Sequence, residues 1–143
     1  MIRFSKREDY AVILISKLAE NYKKRLVSLS EIAKEYSISL LFLRNIANDL
    51  RVSGVVRALE GKNGGYALVH NPKTLKMGKI LPVFSKDSII KCCSFTKKSL
   101  KNHREGKCPK QGICKPGYIW RKINKDFLDK ISSLSVAEFL LYK

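Results

Sequence analysis

Ser28-Leu-Ser-Glu-Ile-Ala-Lys-Glu-Tyr-Ser-Ile-Ser39 runs into Leu40-Leu-Phe-Leu-Arg-Asn-Ile-Ala-Asn-Asp-Leu50 and Arg51-Val-Ser-Gly54-Val-Val-Arg57, then closes with Gly61-Lys-Asn-Gly-Gly-Tyr66-Ala-Leu68. Ser28 with Glu31 three residues on is a capping box, predicting a short helix with Ile32, Ala33 and Tyr36 on one side. Ser37-Ile-Ser39 is a turn, and Ser39 is placed to cap a second helix. Leu40, Leu43, Ile46, Ala47 and Leu50 make one buried stripe along that helix. Short helix, tight polar turn and second helix form helix-turn-helix grammar. The glycine-rich run between Val55-Val56 and Tyr66-Ala-Leu68 reads as a two-stranded hairpin, or wing. An ordinary helical hairpin with a loop fits the same pattern.

The chain has 143 residues, 45% of them hydrophobic, which suits one ordinary domain or a small domain with an appended dimerisation element. No run approaches the ~20 apolar residues needed to span a bilayer. The charged start, Met1 to Asp9, has no signal-peptide core, so the cytoplasm is the expected location and no membrane partner is expected. With 29 Lys and Arg against 12 Asp and Glu, the formal net charge is +17. Such a chain suits a polyanion, because each neutralised phosphate releases a condensed counterion. A lysine-rich proteome would raise the charge without that role. The helix-turn-helix makes double-stranded DNA the favoured partner.

Residues 6–22 read as an amphipathic helix with Tyr10, Ile13, Leu14 and Leu18 inward, Ser5 as N-cap, and Glu8 and Asp9 in the dipole-favoured first turn. Leu26-Val27 suits a short strand beside the wing. Beyond His70-Asn71-Pro72, a short helix is expected through Ile80 and Phe84, bent by Pro82. From Lys86 to Pro116 the periodicity fails. Gly117 to Leu134 restores it, with Trp120, Ile123, Phe127, Ile131 and Leu134 as a stripe that suits a partner helix in a homodimer, or burial within its own domain. Ser135-Val-Ala-Glu138 is another capping box, before a terminal helix. The expected fold is mainly α with a small β-hairpin wing. Residues 1–74 would form the DNA-binding domain, and 75–143 a cysteine-containing sensor loop (86–116) with dimerisation helices.

Cys92, Cys93, Cys108 and Cys114 all fall in the aperiodic segment. Disulfides are disfavoured in the expected compartment. No Cys-x-x-Cys knuckle is present for a zinc ribbon. The looser spacing suits a loop wrapped around an iron–sulfur cluster, with zinc and redox or incidental thiols left open. An enzyme is not expected. His70 and His103 pair with no nucleophile or carboxylate motif, and Gly61-Lys-Asn-Gly-Gly65 lacks the order of a phosphate loop.

Taken together, the chain resembles the Rrf-type bacterial winged helix-turn-helix regulators, whose IscR-like and NsrR-like members sense clusters and nitric oxide. The resemblance rests on Ser5-Lys6 leading into Tyr10-Ala11-Val12, on Ile38-Ser39-Leu40 and Leu43, on Gly54-Val55-Val56, on Gly64-Gly65-Tyr66-x-Leu68, and on Gly78 and Trp120. It implies a repressor whose DNA affinity follows a 2Fe–2S or 4Fe–4S cluster that senses nitric oxide, redox state or cluster supply. It also implies that Cys93, Cys108 and Cys114 are ligands, with Cys92 spare or in a shifted register. IscR-like members have a histidine where this chain has Gly117. NsrR-like members use a first-helix carboxylate, here Asp9, with Glu8 and His103 as fallbacks. A metal-free regulator of the same fold, controlled by a protein partner or thiol oxidation, and a zinc-binding DNA-binding protein are the alternatives.

DNA reading follows from the early exposed face of the second helix: Ser39, Leu41, Phe42, Arg44, Asn45 and Asn48. Arg44 can fork to guanine and Asn45 can pair with adenine. Phe42 equally suits the core. Arg51 and Arg57 are phosphate candidates, and Lys62 and Asn63 at the wing tip suit the minor groove or phosphates.

Overall fold

The computed structural model describes residues 5–84 and 113–141. Its elements in chain order are α1 (Lys6–Glu20), α2 (Leu29–Tyr36), α3 (Leu40–Val52), β1 (Val56–Leu59), β2 (Gly65–Leu68), α4 (Met77–Phe84), α5 (Lys115–Ser133) and α6 (Val136–Leu140). Among the described residues no helix is long and apolar enough to cross a membrane.

A complete capping box starts α1. The Ser5 hydroxyl accepts the Glu8 N–H at 3.3 Å, and the Glu8 carboxylate accepts the Ser5 N–H at 2.5 Å. Ala11, Leu14, Ile15 and Leu18 recur at helical spacing and are buried. The box expected at Ser28 is only half made. The Ser28 hydroxyl takes the Glu31 N–H at 3.1 Å, but Arg25 holds the Glu31 carboxylate through bonds of 2.6 and 2.9 Å. That guanidinium keeps the Glu31 carboxyl below its ordinary range. The pair's small contribution is therefore present above the ordinary carboxylate pKa and fades as pH falls through the lowered one. Tyr36, expected on the same side as Ile32, is 41% exposed, with the Lys17 ammonium over its ring.

The turn from α2 to α3 needs no glycine. Ser37 adopts the left-handed conformation (φ 53°) and lets the Ile38 N–H reach back to the Ala33 carbonyl, so that Ile38 plugs the corner. Leu43, Ile46, Ala47 and Leu50 are fully buried, as their spacing predicts, and α3 packs on α1, α2, α4 and β1. Its end is a Schellman motif. Gly54, at φ 72°, donates its N–H to Arg51, and the Val55 N–H bonds to the Leu50 carbonyl. A Cβ on Gly54 would meet nothing within 4 Å, so Gly54→Ala is expected to cost about 1 kcal/mol through backbone conformation alone. Gly54→Asn should recover part of that loss in chemical denaturation.

The wing is an antiparallel pair with Val56 opposite Leu68 and Leu59 opposite Gly65. Val27 adds the short third rung that its sequence suggests, exchanging bonds of 3.0 and 2.8 Å with Tyr66. Gly64 is required by space, since a Cβ there would lie 2.3 Å from the Leu59 carbonyl oxygen.

Two compact units emerge. One combines residues 4–86 with 131–143, so α4 and α6 close on α1 beside the helix-turn-helix. The Met77 N–H bonds to the Leu134 carbonyl at 2.8 Å and the Val136 N–H to the Leu75 carbonyl at 2.7 Å. The other unit takes in α5 as far as Lys130. That helix starts earlier than expected, because Pro116 falls in its first turn, where a missing N–H costs nothing.

Candidate nucleic-acid interface

Burying Leu43, Ile46, Ala47 and Leu50 forces the opposite face of α3 outward. Leu41, Arg44, Asn45, Asn48, Arg51 and Val52 are all exposed there. Among the described residues, neither Arg44 nor Asn45 makes a side-chain hydrogen bond or ion pair. Asn48 is partly engaged, its amide oxygen accepting from Arg51 Nη2 at 3.0 Å. Ser39 holds the N-cap position, but its hydroxyl makes no capping bond, contrary to the sequence expectation. It stands exposed beside the first amides of α3, where phosphate oxygens are favoured. Phe42 is only partly exposed, with its ring edge-to-face against Tyr10 at 5.6 Å and 88°.

Arg57 projects from β1, and Lys62 and Asn63 stand exposed on the wing loop. These positions suit backbone contacts that set register without carrying sequence information. Lys62→Ala is accordingly expected to lower the salt dependence of DNA binding by about one unit of slope, with little change in sequence preference. Fluorescence anisotropy titrations at several salt concentrations check this.

Sequence reasoning missed one contact between α1 and α3. Arg7 on α1 forms an ion pair with Asp49 on α3, and its guanidinium lies 5.8 Å from the Phe84 ring centre at the end of α4. One side chain of α1 thus touches two other helices. Periodicity carries no signal for a pair 42 residues apart.

The sensor candidates divide. Cys92, Cys93, His103 and Cys108 lie outside the described residues. Cys114 is half-buried at the start of α5, where its sulfur accepts the Gly117 N–H at 3.3 Å. N–H···S bonds of this kind tune cluster-ligating sulfurs. Asp9 is exposed in the first turn of α1 and makes no hydrogen bond or ion pair among the described residues. Glu8 is buried and committed to the capping box, which sets it apart from its neighbour. Among the described residues no three His, Cys, Asp or Glu side chains are grouped to hold a metal ion.

A family model for Rrf2, an iron-dependent transcriptional regulator, matches residues 4–141. The chain belongs to the Rrf2 family. Solved structures agree with that fold. CymR (YrzC), the global cysteine regulator of B. subtilis, superposes with a TM-score of 0.74 at 20% identity, covering 100% of this chain and 99% of CymR. The oxidized form of Staphylococcus aureus CymR gives 0.72 at 22% identity, over 99% and 98%. T. potens IscR gives 0.69 at 26% identity, over 97% of this chain and 86% of IscR. No curated protein sequence matches. As an Rrf2 chain, the protein is a transcriptional regulator of a DNA-binding, winged-helix family. The expected fold, mainly helical with a two-stranded wing, is the one observed.

Proposed function

We propose that this Rrf2 regulator is a homodimeric repressor that reads operator DNA with the outer face of α3. Its affinity would be set by an iron–sulfur cluster held on Cys93, Cys108 and Cys114, with Asp9 as fourth ligand. The observation that carries the DNA-reading half is the state of Arg44 and Asn45, side by side, exposed and without partners among the described residues. Each has the fork or amide geometry that suits a base edge. Dimerisation is supported by α5, where Tyr118, Ile119, Trp120 and Ile123 leave a large apolar surface exposed.

The sensing half is supported by the Cys114 sulfur with its N–H donor, by the uncommitted Asp9 carboxylate, and by the iron dependence in the family's description. When bound, the cluster supplies a group that responds to oxidation state and to nitric oxide. The chain's own part is mechanical. Asp9 sits two residues from Arg7, and Arg7 grips Asp49 on the recognition helix. Restraining or releasing the first turn of α1 therefore bears on the setting of α3. A difference of a few kcal/mol between the two settings is enough to switch binding.

Anaerobically purified protein should be brown. Its visible bands and its DNA affinity should change together on titration with nitric oxide, and Asp9→Ala should weaken retention of the chromophore. A colourless preparation overturns the cluster. The metal-free version, controlled by a protein partner or by thiol oxidation, would then take its place, or the zinc-binding version if zinc is found.

A further inference from the structure

Beside the start of α3 lies an open notch of about 360 Å³ lined by Lys6, Tyr10, Ser39, Leu41, Phe42 and Asn45. Its floor is apolar, and its rim carries an ammonium, a hydroxyl and an amide. Leu41, on the second residue of the helix, is 69% exposed and takes no part in the core. Among the described residues, nothing in the core accounts for an apolar side chain so placed on a strongly basic protein. Phe42 is not equivalent to it, because the edge-on Tyr10 ring keeps Phe42 at the base of the notch.

The major groove offers hydrogen-bonding groups at every base pair and one apolar group only, the C5 methyl of thymine. An apolar notch on the groove-facing side of a reading helix therefore fits that methyl and no other feature of a base edge. The rim fits what surrounds it. Asn45 stands one helical turn beyond Leu41 on the same face and has the amide geometry for adenine N6 and N7. Ser39, Lys6 and the first amides of α3 are suited to the adjoining phosphate.

We infer that Leu41, backed by the Tyr10–Phe42 pair, is a specificity-determining residue that reads the methyl group of a thymine next to the adenine read by Asn45. This rests on the reading that α3 enters the operator's major groove, and it adds which base the apolar corner selects.

The test uses full-length protein. Duplexes enriched from a random-sequence pool give the preferred site, and each thymine in it is then replaced singly by uracil, which removes only the methyl. At one thymine per half-site, uracil should weaken binding by about fourfold to tenfold. Leu41→Ala should bind the thymine and uracil duplexes equally and melt at the wild-type temperature. The sensitive thymine should neighbour an adenine whose replacement by 7-deazaadenine matters to the wild type and not to Asn45→Ala. If every uracil duplex binds within twofold of its thymine parent, the inference is overturned. It is overturned equally if Leu41→Ala keeps the full thymine preference. If the pool yields no enriched sequence, sequence reading by α3 fails, and this inference falls with it.

Discussion

Truncating Leu43 to alanine is expected to cost about 2–5 kcal/mol of folding stability, with a fall in melting temperature of roughly 6–20 °C. Leu43 has no exposed surface and belongs to the core shared by α1, α2, α3 and the wing. Removing its branch loses the transfer free energy of three carbons and leaves a void that helices crossing at that point close only in part. Alanine's better helix propensity offsets a few tenths of a kcal/mol at most. Leu41, two residues earlier on the same helix, provides the internal comparison. At 69% exposure its truncation should shift stability by about 0.5 kcal/mol or less. Thermal denaturation at one fixed protein concentration checks both, since a dimer's melting temperature depends on concentration. Similar melting temperatures for the two variants would mean that α3 is turned differently about its axis, with the reading face misassigned.

That rotation of α3 was legible in the sequence because burial is periodic. Leu43, Ile46, Ala47 and Leu50 fall on one side whatever packs against them, so the outward position of Arg44, Asn45 and Asn48 follows without knowledge of the partner helices. Caps were legible for the same local reason, as at Ser5 and Ser135, where both halves of the box close within three residues. Local reasoning failed where a charge just outside the helix competes for one inside it. The Glu31 carboxylate is held by Arg25, in the loop six residues before it, and so does not close its box. Tyr36 shows the limit of periodicity in a helix of eight residues: its ring has an aromatic identity that predicts burial, yet it ends at the surface under Lys17. The Arg7–Asp49 contact was invisible because both residues look like ordinary solvated charges, and only the approach of α1 to α3 brings them together. At the candidate site, the sequence placed the readers but not their backing. By sequence Phe42 suits groove or core, and it is the Tyr10 ring that backs it; Ser39 reads as a cap, yet its hydroxyl makes no capping bond.

Replacing Arg44 by alanine should weaken binding to the preferred operator by about 1–3 kcal/mol, roughly five- to 150-fold, and flatten the preference at one base position per half-site. Arg44 is exposed, so the variant should fold and melt as the wild type does. Among the described residues it has no carboxylate to release, so the loss would report a contact with DNA and not a rearranged protein. The form of the loss separates two roles. A guanidinium forked onto guanine O6 and N7 loses affinity for the preferred base alone, whereas one resting on a phosphate loses it on every sequence and reduces the salt slope. Arg44→Lys sharpens the distinction. Lysine keeps the charge but not the planar fork, so it should leave the base preference flat if Arg44 forks onto guanine, and restore both affinity and salt slope if Arg44 rests on a phosphate. Binding measured on the four duplexes that differ only at the candidate guanine decides between them. A uniform drop across all four would place Arg44 on the backbone, and Asn45 and Asn48 would then carry the polar part of the reading.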